Sequence, residues 1–257
     1  MPHLAFEASG PESAETILFL HGAGWPGITW HQQMKHFSES YRCLAADLPG
    51  HGASSGIGWQ SLDATAKLVA DLIESVADQP VHLVGLSMGG DVGLRLLAQR
   101  PELVQTALLT GVLVLPVPRW MLKAQLALSG LTKNRMLWRA SAKYLRLGPE
   151  QMAEYLATNR PLDPQQYRAI ISEIFVGTNV EGLDQAGCPV LIAAGEREPR
   201  QARESAAMLA GLMPNARGGL APKSPHEWPM NRPELFNRTL EQWLRDQAVL
   251  PDTLLPA

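Results

Sequence analysis

The sequence predicts an α/β fold with a mostly parallel central sheet, helices on both faces and an inserted helical cap. Three observations predict it. Short apolar runs alternate with amphipathic stretches over the first 110 residues, the rhythm of parallel strands joined through helices. That rhythm stops at Pro116 and resumes near residue 180, with only helical patterns between. One apolar run, Val81-His-Leu-Val-Gly-Leu86, breaks sharply at Ser87-Met88-Gly89 and passes into a helical stretch over 91–100.

Taken in order, residues 4–8 read as an edge strand and Thr16-Ile-Leu-Phe-Leu-His21 as a short buried strand between turn residues. The latter runs into Gly22-Ala-Gly-Trp-Pro-Gly27, too rich in glycine and proline for regular structure. A helix over 30–38 and a strand over 41–46 follow, then the loop Asp47-Leu-Pro-Gly-His-Gly-Ala-Ser54. Residues 61–77 place Leu62, Leu68, Val69, Leu72, Ile73 and Val76 on one helical stripe. After the helical stretch over 91–100 comes a strand over 103–110. Helices are expected over 121–129, 135–145, 149–159 and 164–175, separated by Gly130, Gly148 and Pro161. The sheet pattern returns with a strand over 189–195, a helix over 202–212, a weak strand over 216–220 and a closing helix over 233–247. Residues 251–257 read as a loose tail. The predicted division is a core of 1–115 and 181–257 with a cap of 116–180.

The chain is long enough to bury a core without disulfides or metal. Its 257 residues carry a net charge of −3, which gives no reason to expect nucleic acid. Cys43 and Cys188 lie in or beside apolar runs and read as small hydrophobes; no Cys/His metal cluster is spelled out. The start, Met1-Pro-His-Leu-Ala-Phe-Glu7, lacks the basic-then-apolar pattern of a signal peptide, and no apolar run is long enough to span a bilayer. A cytoplasmic protein without membrane contact is expected.

Gly85-Leu-Ser-Met-Gly89 fits a nucleophile elbow, in which a strained strand-to-helix turn exposes a serine at a helix N-terminus. With 22 glycines in the chain the pentapeptide alone carries little; its strand and helix give it weight. A serine hydroxyl needs a histidine to take its proton and an acid to orient that histidine. In this architecture the chain order is serine, acid, histidine. His3, His21, His31, His36, His51 and His82 precede Ser87; only His226 follows it, in the irregular loop Ala221-Pro-Lys-Ser-Pro-His-Glu-Trp-Pro229. Glu196 and Glu198, just past a strand, are both candidates for the acid. Two backbone donors must meet the oxyanion. The N–H of Met88 is one, and that of Ala23, flanked by Gly22 and Gly24, is the other.

These segments together resemble the α/β-hydrolase fold family, in its esterase/lipase-like serine hydrolase branch. The matching stretches are Leu20-His-Gly-Ala-Gly24, Asp47-Leu-Pro-Gly-His-Gly-Ala-Ser54, Gly85-Leu-Ser-Met-Gly-Gly90, Gly195-Glu-Arg-Glu-Pro199 and His226 ahead of the terminal helix. They span nearly the whole chain in family order. The resemblance implies that residues 116–180 form a lid and that the acid stands three residues after Gly195, which is Glu198. It departs from the family in two places: glutamate stands where aspartate is usual, and Pro225 precedes the histidine where a small residue is common. It implies an acyl-serine hydrolase of esters or related acyl compounds, without metal or organic cofactor. Thioester, lactone or carbon–carbon bond hydrolysis and cofactor-free perhydrolysis use the same groups. A ligand receptor that does not turn over is the reading from another class.

Apolar cap residues, among them Trp120, Met121, Leu122, Leu126, Leu128, Leu131, Met136, Leu137, Trp138, Tyr144, Leu145 and Leu147, point to an apolar acyl or aryl pocket, shared with Trp25 and Met88. Between Leu103 and Pro149 the chain has Arg119, Lys123, Lys133, Arg135, Arg139, Lys143 and Arg146 and no acidic residue. A solvated face is the ordinary meaning of such a run; attraction of an anionic substrate or acidic carrier is the sharper one.

Overall fold

Successive side chains of a strand point to opposite faces, and here both sets are apolar, so both faces of the sheet demand cover. The computed structural model describes residues 3–134, 136, 139–140, 143, 148–158, 162–249 and 253–257. Its strands are β1 (Phe6–Ser9), β2 (Thr16–Leu20), β3 (Arg42–Ala46), β4 (Val81–Leu86), β5 (Val104–Thr110), β6 (Val190–Gly195), β7 (Ala216–Ala221) and β8 (Leu255–Pro256). They form one sheet in the order β1-β3-β2-β4-β5-β6-β7-β8. β1 runs antiparallel to β3 and β8 antiparallel to β7. The six strands between are parallel.

One face carries Leu18, Leu20, Leu44, Leu83, Leu109 and Ile192, covered by α2 (Leu62–Val76), α3 (Met88–Gln99) and α7 (Arg200–Leu212). The other carries Ile17, Phe19, Cys43, Val84, Leu108 and Leu191, covered by α1 (His31–Phe37) and α9 (Pro233–Asp246). α9 illustrates the logic: Phe236, Leu240 and Trp243 recur at helical spacing and are buried. Each such side chain contributes about 1.5–3 kcal/mol by leaving water. Ser61 caps α2 by accepting a hydrogen bond from the Ala64 N–H at 3.0 Å.

β3 lies on one side of β2 and β4 on the other, so the strand order reverses between β2 and β4. The carboxyl ends of parallel strands at such a point open a crevice where ligands bind. The loop after β2 and the turn after β4 both end there.

Between the neighbouring strands β5 and β6 the chain makes a long excursion. It contains α4 (Arg119–Ala127), a 3-10 segment Leu128–Lys133, α5 (Pro149–Thr158) and α6 (Pro164–Phe175), and no strand among the described residues. Asp163 caps α6 and Pro164 starts it. α4 packs on α6. Ile170, Ile171 and Ile174 of α6 join one core and Tyr155 of α5 the other. The helix expected over 135–145 falls mostly outside the described residues. So do Arg135, Arg146, Leu137, Trp138, Tyr144, Leu145 and Leu147.

Two expectations are corrected. The helix after the elbow begins at Met88 rather than 91, because the turn ends at Ser87 and the glycines that follow continue the helix. Over residues 253–257 the tail is not loose: Thr253 and Leu254 are buried and Leu255–Pro256 pairs with β7. β7 otherwise offers an unpaired edge, and Gly219, lacking a side chain, leaves the space that Leu254 fills.

Candidate active site

β4 delivers Leu86 to the top of the sheet, and the chain reverses into α3 through Ser87 at φ 54° and ψ −122°. A non-glycine residue at positive φ stores strain of about 1–3 kcal/mol. It persists because the flanking segments are pressed together. A Cβ on Gly85 would lie 2.6 Å from the Gly89 carbonyl oxygen. One on Gly89 would lie 2.3 Å from that of Leu20. The Ser87 N–H donates to the Thr110 carbonyl at 2.8 Å, which ties the turn to β5.

Glu198 follows β6. Its side chain is only 1% exposed, so both carboxylate oxygens need partners. Oε1 accepts the Gly195 N–H at 2.7 Å, and Oε2 meets His226 Nδ1 at 2.6 Å. The extra methylene of glutamate is absorbed by this fold-back onto the end of its own strand. Glu196 does something else: it is half-buried and accepts the Lys223 N–H at 2.6 Å. It therefore shapes the loop that carries His226 instead of touching the imidazole.

His226 stands between β7 and α8 (Trp228–Asn231). Trp228 anchors the loop by donating its indole N–H to Thr110 Oγ1 at 2.8 Å. Opposite the ring lies Gly111, at φ +69°, where a Cβ would come within 2.5 Å of His226 Cε1. Only glycine leaves room for the imidazole there. Burial disfavours the charged imidazole, but the Glu198 carboxylate and its hydrogen bond outweigh this and raise the His226 pKa to about 9.

The loop after β2 is held by two buried histidines that the sequence reading passed over. His51 Nε2 accepts the Gly24 N–H at 2.8 Å, and its Nδ1 donates to the Pro49 carbonyl at 2.9 Å. His21 Nε2 accepts the Leu48 N–H at 2.9 Å, and its Nδ1 donates to the Gly22 carbonyl at 2.9 Å. Burial above all pushes His21 down to about 4. Burial, then the neighbouring His21, pushes His51 down to about 3. Both are neutral at pH 7, as acceptors must be. Asp47 completes the frame by accepting the Gly27 and Ala53 N–H groups. With Gly24 committed to His51, the Ala23 N–H has no acceptor among the described residues. The Met88 N–H, first in α3, has no intrahelical acceptor either. The signal for the histidine pair lay in the two motifs Leu20-His-Gly and Pro49-Gly-His-Gly, whose histidines need each other's loop.

A third buried polar residue at the site is Asp91, one turn beyond Ser87 and fully buried. It accepts the Leu113 N–H at 3.1 Å and the Thr178 hydroxyl at 3.0 Å, joining the chain where it leaves the sheet to where it returns. Burial pushes its pKa up to about 8.

Ser87, Glu198 and His226 line one cavity of about 510 Å³, together with Ala23 and Trp25. That volume suits a small organic molecule. Leu113, Val117, Met121, Ile171, Ile174 and Phe175 give it an apolar wall, and Trp120 lies on its rim with 70% of its surface exposed. Met88 is a correction: its side chain is fully buried in the core under α3 and does not line the cavity, because the first turn of the helix directs it inward. Leu122 and Leu126 pack on the core, while Leu128, Leu131 and Met136 are exposed. Among the described residues no group of three or more His, Cys, Asp or Glu gathers as a metal site would, and no helix is long and apolar enough to cross a membrane.

Comparisons with known proteins agree with this architecture. A family model described as the alpha/beta hydrolase family matches residues 17–239. The chain is 28% identical over 249 residues to a pimeloyl-[acyl-carrier protein] methyl ester esterase of Nitrosomonas europaea, covering 91% of this chain and 96% of the relative. It is 23% identical over 242 residues to an (E)-2-((N-methylformamido)methylene)succinate hydrolase of Acinetobacter baylyi, covering 90% of each. Among solved structures, the enol-lactonase of Burkholderia xenovorans superposes with a TM-score of 0.75 at 20% identity, over 95% of this chain and 96% of that one. The chain belongs to the alpha/beta hydrolase family, and these full-length relatives are hydrolytic enzymes.

Proposed function

We propose that this protein is a serine hydrolase that cleaves an ester or related acyl compound through an acyl-serine, as carboxylesterases do. The observation that carries the reading is the convergence of Ser87, His226 and Glu198 on one apolar cavity, with Glu198 Oε2 and His226 Nδ1 2.6 Å apart. Ser87 Oγ attacks the acyl carbon while His226 Nε2 takes its proton. The tetrahedral oxygen receives the N–H groups of Ala23 and Met88. Its collapse expels the alcohol, which leaves with the proton from His226. Water then attacks the acyl-serine, His226 takes the water's proton, and the acid departs as Ser87 recovers its own. The methyl ester esterase relative supports an ester as the scissile group. Residues 116–180 serve as the cap that shields this chemistry from water. Arg119, Lys123, Arg139 and Lys143 are exposed; on this reading they attract any anionic carrier from outside the cavity, while the acyl group inside is uncharged. Turnover of a short-chain nitrophenyl ester tests the reading. Fluorophosphonate labelling of Ser87 without any turnover would favour a receptor instead.

Two outcomes follow from the site. The base must be neutral to accept the serine proton, and its pKa is raised. So kcat/KM for an uncharged ester, corrected for spontaneous hydrolysis, rises with pH along a limb centred near 9. A limb centred at or below 6.5 contradicts the Glu198–His226 pairing.

His51→Ala removes the acceptor that holds Gly24 and lets the oxyanion loop drift. A misplacement of about 1 Å costs roughly 10²-fold in kcat. KM should change less, and His51→Gln, which keeps an acceptor near the Nε2 position, should recover much of the rate. Equal losses in both variants would reduce His51 to a packing residue.

A further inference from the structure

The cavity wall carries a polar pair that the proposed chemistry does not use. Among its described lining residues the acidic and imidazole side chains are those of Glu198, His226 and Glu227, and there is no lysine or arginine. A carboxylate-bearing acyl group would find no lysine or arginine there, and the one cation it could meet, protonated His226, is already paired with Glu198 and must be neutral to act as base. On the cap side of the wall, however, stand Gln125 of α4 and Tyr167 of α6. Gln125 Nε2 donates to Tyr167 Oη at 2.5 Å. Tyr167 is buried and Gln125 half-buried.

The pair is not saturated by this one bond. Because Oη accepts it, the phenol proton is left to donate. The side-chain oxygen of Gln125 makes no hydrogen bond among the described residues. Burial raises the Tyr167 pKa, so the phenol stays neutral. One donor and one acceptor thus remain on the apolar, cap-side part of the cavity wall. An amide matches both: its carbonyl accepts from Tyr167 Oη–H and its N–H donates to Gln125 Oε1.

Resting on the hydrolase reading of this cavity, we propose that Gln125 and Tyr167 select acyl groups carrying an uncharged hydrogen-bonding function, an amide above all. A site built to hydrogen-bond a substrate group penalises the analogue lacking it far more than an apolar pocket penalises a missing methylene.

The test uses two nitrophenyl esters of equal acyl length, one with an amide within the chain and one all-methylene. In Tyr167→Phe and in Gln125→Leu, the amide-to-alkyl ratio of kcat/KM should fall at least about tenfold from the wild-type ratio. If the pair only cross-links α4 to α6, both esters suffer alike, and an unchanged ratio overturns the inference. Binding separates the two readings. In the Ser87→Ala background, calorimetry with the same esters should show the amide preference falling about tenfold when Tyr167→Phe is added. Failure of Ser87 labelling and turnover, with that binding shift present, overturns the hydrolase reading and sustains the selectivity. An unchanged binding ratio overturns the selectivity whatever the kinetics.

Discussion

Replacing Ser87 by alanine should lower kcat by roughly 10⁴-fold or more while leaving the fold intact. The size follows from what is lost. Without Oγ no acyl-enzyme forms, and His226, Glu198 and the oxyanion donors have no nucleophile to serve. The fold survives because alanine meets the same φ of 54° as serine, and the hydroxyl sits on the cavity wall and not in the packed core. Turnover of the nitrophenyl ester and a thermal melt check the two halves. Residual kcat above about a hundredth of wild type would exclude covalent catalysis at this position.

Glu198→Gln should come close to the same loss, whereas Glu196→Gln should cost little. The carboxylate accepts from His226 Nδ1–H and thereby leaves Nε2 free to take the serine proton. A glutamine can turn an N–H toward Nδ1, which moves the imidazole proton to Nε2 and blocks the base. It also removes the charge that stabilises imidazolium in the transition state. The equivalent change in a serine protease costs about 10⁴-fold in kcat. Glu196, by contrast, holds only the Lys223 backbone. Comparing kcat for the two variants decides the matter: a larger loss in Glu196→Gln would reverse the assignment, and small losses in both would leave His226 working without an acid.

Much of this was legible because the signals are local. Apolar runs bounded by glycine and proline marked β2 to β6, and Ser87 stood out because strand, turn and helix must all be present around it. His226 was found by order along the chain. Other features depend on distant segments and left weaker traces. Leu255–Pro256 is too short to read as a strand until the open edge of β7 is known. Met88 looked like a pocket residue beside the serine, but helix geometry turns its side chain into the core. His21 and His51 read as unconnected residues 30 positions apart, and become a pair only when the two loops meet with ring centroids 4.8 Å apart. Gln125 and Tyr167 were hidden for the same reason, since only the packing of α4 on α6 brings them together. Between Glu198 and Glu196 the offset from Gly195 favours Glu198 only through the family resemblance; the fold-back that turns its carboxylate to the imidazole is a side-chain feature that spacing does not encode.

On the proposed mechanism, acyl transfer passes through Ser87. Rapid quenching of the enzyme with a nitrophenyl ester, followed by peptide mass mapping, tests it directly. A burst of nitrophenolate is expected, with the acyl mass on the peptide containing Ser87, absent in Ser87→Ala and long-lived in His226→Ala once labelled. Steady hydrolysis with no acyl mass on that peptide, or with the mass on another residue, would contradict it.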